Sequence, residues 1–326
     1  MSALFPKINK ERKTKKVMKR DLINWLLQGD VAIQYQTHRD LIKSAQKTLQ
    51  ALQKRIRKEG WGVKYIRCRN ANGHWGRGFY QPKWTNTHYT LLDLKNLGIT
   101  PDNPEILQTL KMIFDREKGP DGGINPSGII KESDVCLNGM VLNYASYFGV
   151  EQSKLNSVVD FILSQQMKDG GFNCRLNRSG AVHSSLHSTL SVIEGILEYS
   201  KNRYHYKLTE LKEVELVARK FILQHRLYKS DRTGEIIDKK MLMLSYPSRW
   251  RYDILRALDY FRAAGLSYDP RMDDAFAIIA KKRRADGTWP LQAKHPGEVH
   301  FEMEKPGKPS RWNTLRVLRI KKHFNK

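Results

Sequence analysis

The chain has 326 residues, with 58 Lys and Arg against 33 Asp and Glu, and a formal net charge of +25. Of these residues 40% are apolar, and a chain of this length can bury about three-quarters of the surface that its unfolded form exposes. It therefore needs neither a metal nor disulfides in order to fold. The only cysteines are Cys68, Cys136 and Cys174, which excludes a disulfide-rich secreted domain and fits a reducing compartment.

The first residues are strongly basic. Eight of the fourteen residues in 7–20 are Lys or Arg, and no apolar stretch typical of a secretion signal accompanies them. No apolar run approaches the roughly 18 residues that span a bilayer as a helix. We therefore expect a cytoplasmic protein with a basic N-terminal arm over residues 1–20, and peripheral membrane contact stays open.

A second basic cluster lies near the other end of the chain and contains Arg316, Arg319, Lys321 and Lys322. Such clusters favour anionic partners. Nucleic acid is disfavoured as the partner, because the sequence has no RNA-binding signature and no zinc-finger spacing. From the sequence alone we expect both clusters to be solvated.

The remaining chain reads as a series of helix pairs. The first pair is expected near 21–27 and 31–42. Farther along, an amphipathic helix is repeatedly ended by an Asp-Gly type of turn, in which Asp accepts local hydrogen bonds and Gly supplies a positive φ. These turns are Asp121-Gly122, Asp169-Gly170, Asp231 to Gly234, and Asp286-Gly287.

A second, more apolar helix follows each turn, and one more helix of this kind precedes the first of these turns. These second helices are expected to begin near residues 86, 134, 183, 249 and 311. A helix that is apolar on most faces belongs inside, and its amphipathic partner belongs outside. Strand signals are nearly absent. The pattern predicts an all-α fold in which residues 21–326 form a single closed α/α toroid of about five to six outer/inner helix pairs, with the inner-helix N-termini around a central cavity.

The repeated turns resemble those of a known superfamily. Gln166-Met-Lys-Asp-Gly-Gly-Phe172 looks like the QW-type repeat of squalene and hopene cyclases, with Phe where Trp is usual, and Asp286-Gly-Thr-Trp289 matches the end of that repeat. The β subunits of protein prenyltransferases share the same α/α toroid. The resemblance covers roughly residues 45–322. It implies a prenyltransferase-like or squalene-cyclase-like protein with an isoprenoid substrate. The resemblance to the prenyltransferases also implies a helical partner subunit.

The resemblance also implies a metal site. In prenyltransferase β subunits, zinc is held by an Asp-x-Cys pair at the start of one inner helix and a His at the start of a later one. Asp134, Cys136 and His183 match that arrangement, and Cys174 is a candidate fourth ligand. All these side chains are competent zinc donors. The alternative interpretation of Cys136 is a small buried apolar side chain.

A third pattern is the duplicated Pro-Ser-Arg-Trp segment. Ser248 and Ser310 are natural helix caps, but Arg at a helix N-terminus conflicts with the helix dipole unless an anion is nearby. Arginines there suit a diphosphate or carboxylate, and an aromatic wall suits a prenyl chain, a carbocation or a sugar ring. The candidate substrate-binding residues are Trp84, His88, Arg249, Trp250, Arg311 and Trp312, and the candidate catalytic residues are His187, Tyr252 and Asp253.

The leading hypothesis is a prenyltransferase-like transferase that binds an isoprenoid or another amphipathic anionic substrate, with zinc as cofactor. The acidic motifs of proton-initiated cyclases and of metal-dependent terpene synthases are absent from the sequence, so neither cyclisation chemistry is supported. Two alternatives stay open. One is a carbohydrate-active α/α-barrel hydrolase or lyase on an acidic glycan, with Asp134 and Asp253 as its two carboxylates. The other is a non-catalytic binding protein for an anionic partner.

Overall fold

The computed structural model describes residues 20–126 and 130–326, without the side chains of residues 177 and 178. Residues 1–19 of the predicted basic arm lie outside the described residues. Residue 20 is already helical, so the predicted domain boundary falls at the start of the first described helix. None of the described helices combines the length and the apolarity needed to cross a membrane.

The described chain is mainly helical, which confirms the predicted all-α class. The helices are α1 (20–27), α2 (Val31–Thr37), α3 (Gln46–Ile56), α4 (Gly60–Arg67), α5 (Thr87–Leu97), α6 (Pro104–Arg116), α7 (Val135–Tyr147), α8 (Gln152–Ser164), α9 (Leu176–Ser179), α10 (Leu186–Lys201), α11 (Leu208–Gln224), α12 (Ile254–Ala263), α13 (Asp273–Lys281) and α14 (Arg311–Phe324). A π-helical turn (His38–Ile42) extends α2, and short 3-10 turns cover Lys239–Leu242 and Pro270–Met272. The strands β1 (Trp289–Pro290) and β2 (Pro309–Ser310) pair antiparallel.

Burial separates two kinds of helix. α6 buries one face, with Ile106, Leu110 and Ile113 at helical spacing. In α7, by contrast, every residue from 137 to 146 is buried, and α10 is buried throughout 188–193. A helix with one apolar stripe lies at the outside of a domain, and a helix that is buried all round lies inside. The predicted alternation of outer and inner helices is therefore present in these pairs.

The turns between the pairs share one construction. The glycines of the Asp-Gly turns have positive φ, as predicted, with values of 84° at Gly122, 90° at Gly170 and 84° at Gly287. Three positions after the Asp, the backbone N–H donates to a side chain of the following inner helix. These bonds join Ile124 to Asn138 (2.7 Å), Phe172 to Thr189 (3.0 Å) and Trp289 to Thr314 (3.0 Å).

One turn of this kind was not predicted from the sequence. Asn72 takes the place of Asp, Gly73 has a φ of 87°, and the Trp75 N–H donates to the Thr87 hydroxyl at 3.0 Å. The Trp75 indole N–H also donates to the carbonyl of Tyr65 in α4 at 2.6 Å. In the same way, the Trp289 indole N–H donates to the carbonyl of Ile279 in α13 at 2.8 Å. The sequence Asn-Gly-x-Trp could have revealed this turn, because Asn accepts the same local hydrogen bonds as Asp.

Two of the inner helices begin later than predicted. The segment at 249 precedes the helix, and α12 begins at Ile254, where the Asp253 carboxylate accepts from the backbone of Arg256 at 2.7 Å. Asp253 is therefore the N-cap of α12, and the prediction that Ser248 caps it is wrong. α10 begins at Leu186. Ser310 does cap α14, as predicted, through the backbone N–H of Asn313 at 3.0 Å.

Helices α7 and α10 approach each other backbone to backbone, because both carry glycine at the contact. A Cβ added to Gly139 would lie 2.7 Å from the carbonyl oxygen of Ser191 and 2.7 Å from the Cα of Val192. Both neighbours are backbone atoms and can move only if the two helices separate.

We therefore expect Gly139→Ala to lower the free energy of unfolding by roughly 1 to 3 kcal/mol, the usual cost of overpacking a core. Chemical denaturation provides the measurement. Gly78→Ala is the matched control, because nothing lies within 4 Å of a Cβ added there. Equal stability of the two variants would contradict the close approach of α7 and α10.

The last helix packs against the first helices. α14 contacts α2 and its π-helical extension, and it also contacts α12. Arg319 of α14 donates to Gln36 at 2.9 Å and to Asp40 at 3.0 Å. At the start of α14, the Arg311 Nε donates to the carbonyl of Trp25 at 3.1 Å. The two ends of the described chain are therefore joined by polar contacts as well as by packing.

Candidate functional site

A cavity of about 490 Å³ lies among the inner helices. Its walls come mainly from α2 with its π-helical extension and from α5, α7, α10, α12 and α14, with further residues from α3 and from the loop before α12. On α5, α7 and α10 the lining residues lie in the C-terminal half, for example Lys95, Tyr147 and Lys201. From the sequence we expected the inner-helix N-termini to surround the cavity. On these three helices the main cavity lies instead beside the C-terminal halves.

The wall of this cavity is polar and predominantly basic. It contains eight Lys and Arg against four Asp and Glu, an excess of four positive charges when all are ionised. The basic residues are Arg39, Lys95, Lys201, Arg249, Arg256, Arg262, Arg316 and Arg319, and the acidic ones are Asp40, Glu194, Glu198 and Asp259.

Several of these charges form a buried ion-pair network. Asp259 of α12 accepts from Arg319 at 2.9 Å and from Arg262 at 2.7 Å, and Arg319 also reaches Asp40 at 3.0 Å. Burial by itself would raise the pKa of Asp259, but Arg319 and Arg262 outweigh it and hold that pKa well below its usual range. The pKa of Asp40 is likewise held low against burial, chiefly by Arg39 and Arg319.

This network corrects the expectation that the C-terminal basic cluster is solvated. Arg316 is only 5% exposed, and the side chain of Arg319 is 11% exposed. Both line the cavity. The expectation is wrong for these two residues because α14 faces inward along this side, and a run of basic residues in a sequence does not reveal which of them a fold will bury.

Lys201 interacts with three other cations of the cavity wall. Lys201 is exposed at the C-terminal end of α10. Loss of hydration beside the surrounding protein is the main cause that lowers the pKa of its ammonium group, and the charge of Glu198 opposes this. Repulsion from Lys95, Arg262 and Arg39 lowers the pKa further. These four residues, here called the cationic rim, come from α5, α10, α12 and the extension of α2.

Arg249, one of the predicted ligand-binding residues, is buried, and a carboxylate balances its charge. It is 5% exposed and forms a hydrogen-bonded ion pair with the buried Asp93 of α5. Asp93 also accepts from the Tyr65 hydroxyl at 2.8 Å. Burial raises the pKa of Asp93, although Arg249 and Tyr65 oppose the rise.

A second cavity of about 270 Å³ lies beside Arg249. Its lining includes the predicted residue Trp84, together with Phe301, Met303 and His295. The Trp84 indole N–H donates to the carbonyl of Pro296 at 2.9 Å. Tyr246 and Arg249 border both cavities, so the basic space and the second cavity are neighbours.

The other predicted binding residues take different places. Trp312 lines the main cavity and stacks on Tyr246, with ring centroids 4.5 Å apart. Arg311 lies over the ring of Trp25 at 4.5 Å, away from both cavities.

Trp250 and His88 border neither of the two cavities. Trp250 packs edge-on against His187, with ring centroids 5.2 Å apart. His88 is fully buried, and its Nδ1 lies 3.3 Å from the Tyr144 hydroxyl. Burial, with help from Lys83, lowers the pKa of His88 to about 3, so it is neutral at physiological pH.

The predicted catalytic residues are adjacent, and each has a structural partner. The His187 Nδ1 accepts from the backbone N–H of Tyr252 at 2.7 Å, and burial with Arg256 and Arg251 lowers its pKa to about 4. The Tyr252 hydroxyl donates to the carbonyl of Leu227 at 2.6 Å. None of His187, Tyr252 and Asp253 lines either cavity.

The residues predicted to bind zinc are only partly brought together. Contact with the thiol of Cys174, burial and the charge of Asp134 together raise the pKa of Cys136 well above its usual value. His183 is exposed, and its Nε2 lies 3.2 Å from a guanidinium nitrogen of Arg232. Within residues 20–126 and 130–326, no three His, Cys, Asp or Glu side chains form a group that could hold a metal ion. Zinc stays a prediction from the sequence resemblance.

The rim residues Arg39, Lys95, Lys201 and Arg262 were not singled out from the sequence. A basic residue in the last turn of a helix is ordinary, since it complements the helix dipole. The available signal was recurrence, because α5, α10 and α12 each place Lys or Arg near the same end of successive repeats.

A comparison with protein-family models and with curated proteins finds no match. The fold and the site therefore define this protein only as a class: an all-α protein with a basic cavity among its inner helices.

Proposed function

We propose that the chain is a closed α/α toroid whose central cavity binds a small anionic ligand. Two observations support closure. The last inner helix, α14, packs on the first, α2, and Arg319 bonds across that contact to Gln36 and Asp40. In addition, α2, α5, α7, α10, α12 and α14 all contribute to one cavity, as the inner ring of a toroid of six pairs would.

The cationic rim carries the functional part of the proposal. A single basic residue at a helix C-terminus stabilises that helix, and Asp40, Glu198 and Asp259 pair with three of the four rim cations. The cavity wall nevertheless keeps an excess of four positive charges. Burial is the main cause of the lowered pKa of Lys201, and repulsion from the other three residues of the cationic rim lowers it further. An anion bound within the rim would convert the repulsion into attraction, because its oxygens would face several donors at once.

Calorimetric titration with inorganic pyrophosphate at low ionic strength tests the proposal, since salt screens such interactions. We expect saturable binding, and Lys201→Gln should weaken it about tenfold, which corresponds to about 1.4 kcal/mol. Lys220→Gln on the outer helix α11 removes the same charge from an exposed site and should change the affinity by less than about twofold. Binding that does not saturate, or an equal loss in both variants, would refute a specific site.

The second cavity favours a related candidate, the amphipathic anionic substrate that the sequence resemblance implies. Trp84, Phe301 and Met303 offer an apolar wall next to the basic space, with Tyr246 and Arg249 bordering both. A ligand with a diphosphate head and an apolar chain would use both cavities. In the same titration, geranyl diphosphate would then bind more tightly than pyrophosphate, and equal affinities would remove this candidate.

A further inference from the structure

Three polar atoms in residues that line the main cavity are buried without a hydrogen-bond partner among the described residues. They are a terminal guanidinium nitrogen of Arg316, the indole nitrogen of Trp312 and the amide oxygen of Asn143. The three residues are 5%, 2% and 5% exposed, respectively. A buried polar atom without a partner is destabilising, so three such atoms in residues that line one cavity need an explanation.

Their positions put them on different walls. Trp312 and Arg316 lie one turn apart on α14 and therefore share a face. Asn143 lies on α7, which contacts α5 and α10, whereas α14 contacts α2 and α12. The Nε of Arg316 is 3.6 Å from Asp259, so the nearest carboxylate engages the other side of the guanidinium group.

The two walls require different chemistry from a ligand. The guanidinium and indole groups are donors only, and an oxyanion or a hydroxyl oxygen satisfies them. A carboxamide presents both a donor and an acceptor, and an oxyanion cannot donate to its oxygen. A hydroxyl can do both. An isoprenoid diphosphate has no group that would donate to Asn143.

We infer that the ligand of this cavity is a hydroxylated anion, that is, a sugar acid or a sugar phosphate. The inference rests on the proposed anion-binding function and specifies its ligand. The volume of about 490 Å³ falls within the range of about 300 to 1,000 Å³ that is typical of small-molecule sites. Tyr246 also lines this space, and a tyrosine hydroxyl can both donate and accept.

Glucuronate and cyclohexanecarboxylate form a matched pair of probes, because both carry a carboxylate on a six-membered ring and only glucuronate carries hydroxyls. In calorimetric titrations of the full chain, we expect glucuronate to bind at least about tenfold more tightly, since unpaired buried polar groups discriminate strongly against the ligand that lacks a partner. Inorganic pyrophosphate is titrated in parallel as a test of the anion site itself.

Asn143→Leu removes the amide at nearly constant size. It should reduce the affinity for glucuronate about tenfold and leave the affinities for cyclohexanecarboxylate and pyrophosphate within about twofold. Asn96→Leu is the control, because Asn96 borders the same cavity with an exposed side chain. Should Asn143→Leu not fold, as judged by circular dichroism, Trp312→Phe removes one donor, keeps the aromatic ring, and should also weaken glucuronate selectively.

The two proposals can fail separately. If pyrophosphate binds but the two carboxylates bind equally well, the inference of a hydroxylated ligand is refuted and the anion site stands. The same conclusion follows if Asn143→Leu and Trp312→Phe weaken both carboxylates equally. If pyrophosphate and both carboxylates fail to bind, the anion-binding function itself is refuted.

Discussion

Asp259→Asn should lower the free energy of unfolding by about 3 to 5 kcal/mol at neutral pH, the usual cost of removing one partner from a buried ion pair. Arg319, Arg262 and Arg316 all approach this carboxylate, and the substitution leaves their positive charges facing one another. Urea unfolding monitored by circular dichroism measures the loss.

The effect of Asp259 should depend on pH with a definite sign. Its pKa in the folded protein is held below the ordinary value, so the carboxylate stabilises the fold above the unfolded-state pKa of about 3.9 and loses that contribution as the pH falls through the folded-state value. The difference between wild type and Asp259→Asn should therefore shrink below about pH 4.

Asp269→Asn is the matched control, because Asp269 pairs with Arg271 near the surface, where the two side chains are 25% and 47% exposed. We expect it to cost at most about 1 kcal/mol. Losses of the same size in the two variants would contradict the buried network. Under the proposed function, pyrophosphate should stabilise Asp259→Asn more than wild type, since the cavity has then gained one net positive charge.

Arg249→Met should also cost about 3 to 5 kcal/mol, measured in the same way, because it leaves the Asp93 carboxylate, which is only 2% exposed, without its cation. The hydroxyl of Tyr65 would be the one remaining hydrogen-bond donor among those described for this carboxylate. The second oxygen of Asp93 already has no hydrogen-bond partner in the part of the chain that the structure describes.

The pH dependence of this variant should have the opposite sign. Burial already raises the pKa of Asp93, and without Arg249 the folded state would hold the proton still more tightly than the unfolded state does. Stability of Arg249→Met should therefore fall as the pH rises from the unfolded-state pKa to the folded-state pKa, and then level off.

The double variant Asp93→Asn with Arg249→Met should recover part of the loss, since it removes the buried charge. Arg55→Met is the control, because Arg55 pairs with Glu59 at an exposed site where the side chains are 46% and 45% exposed. A loss in Arg249→Met no larger than in Arg55→Met, at every pH, would contradict the buried pair.

The local parts of the fold could be predicted from the sequence. An Asp-Gly turn ends a helix through interactions within a few residues, so Gly122, Gly170 and Gly287 were identified correctly without tertiary information. The same holds for the Ser310 cap. The prediction failed at Ser248, because the loop from 249 to 252 packs into the protein before α12 begins, and Asp253 then provides the cap.

The site could be predicted only in part. Trp312, Trp84 and Arg249 border the cavities as aromatic or basic residues near inner helices were expected to do. His187, Tyr252 and Asp253 lie together but have partners of their own. The cationic rim was missed, because its members are distant in sequence and each looks like an ordinary helix-terminal base.

The sequence by itself determined the charge excess, the all-α class and the position of the repeated turns, since these depend on composition and on contacts between near neighbours. Only the tertiary structure decided which of the basic residues are buried and which acidic residues they pair with. Packing of α14 against α2 and α12 buries Arg316 and Arg319 beside Asp40 and Asp259, and it directs part of the excess of +25 into a cavity. The physical reason is that burial and ion pairing depend on which helices meet, and residues hundreds of positions apart determine that.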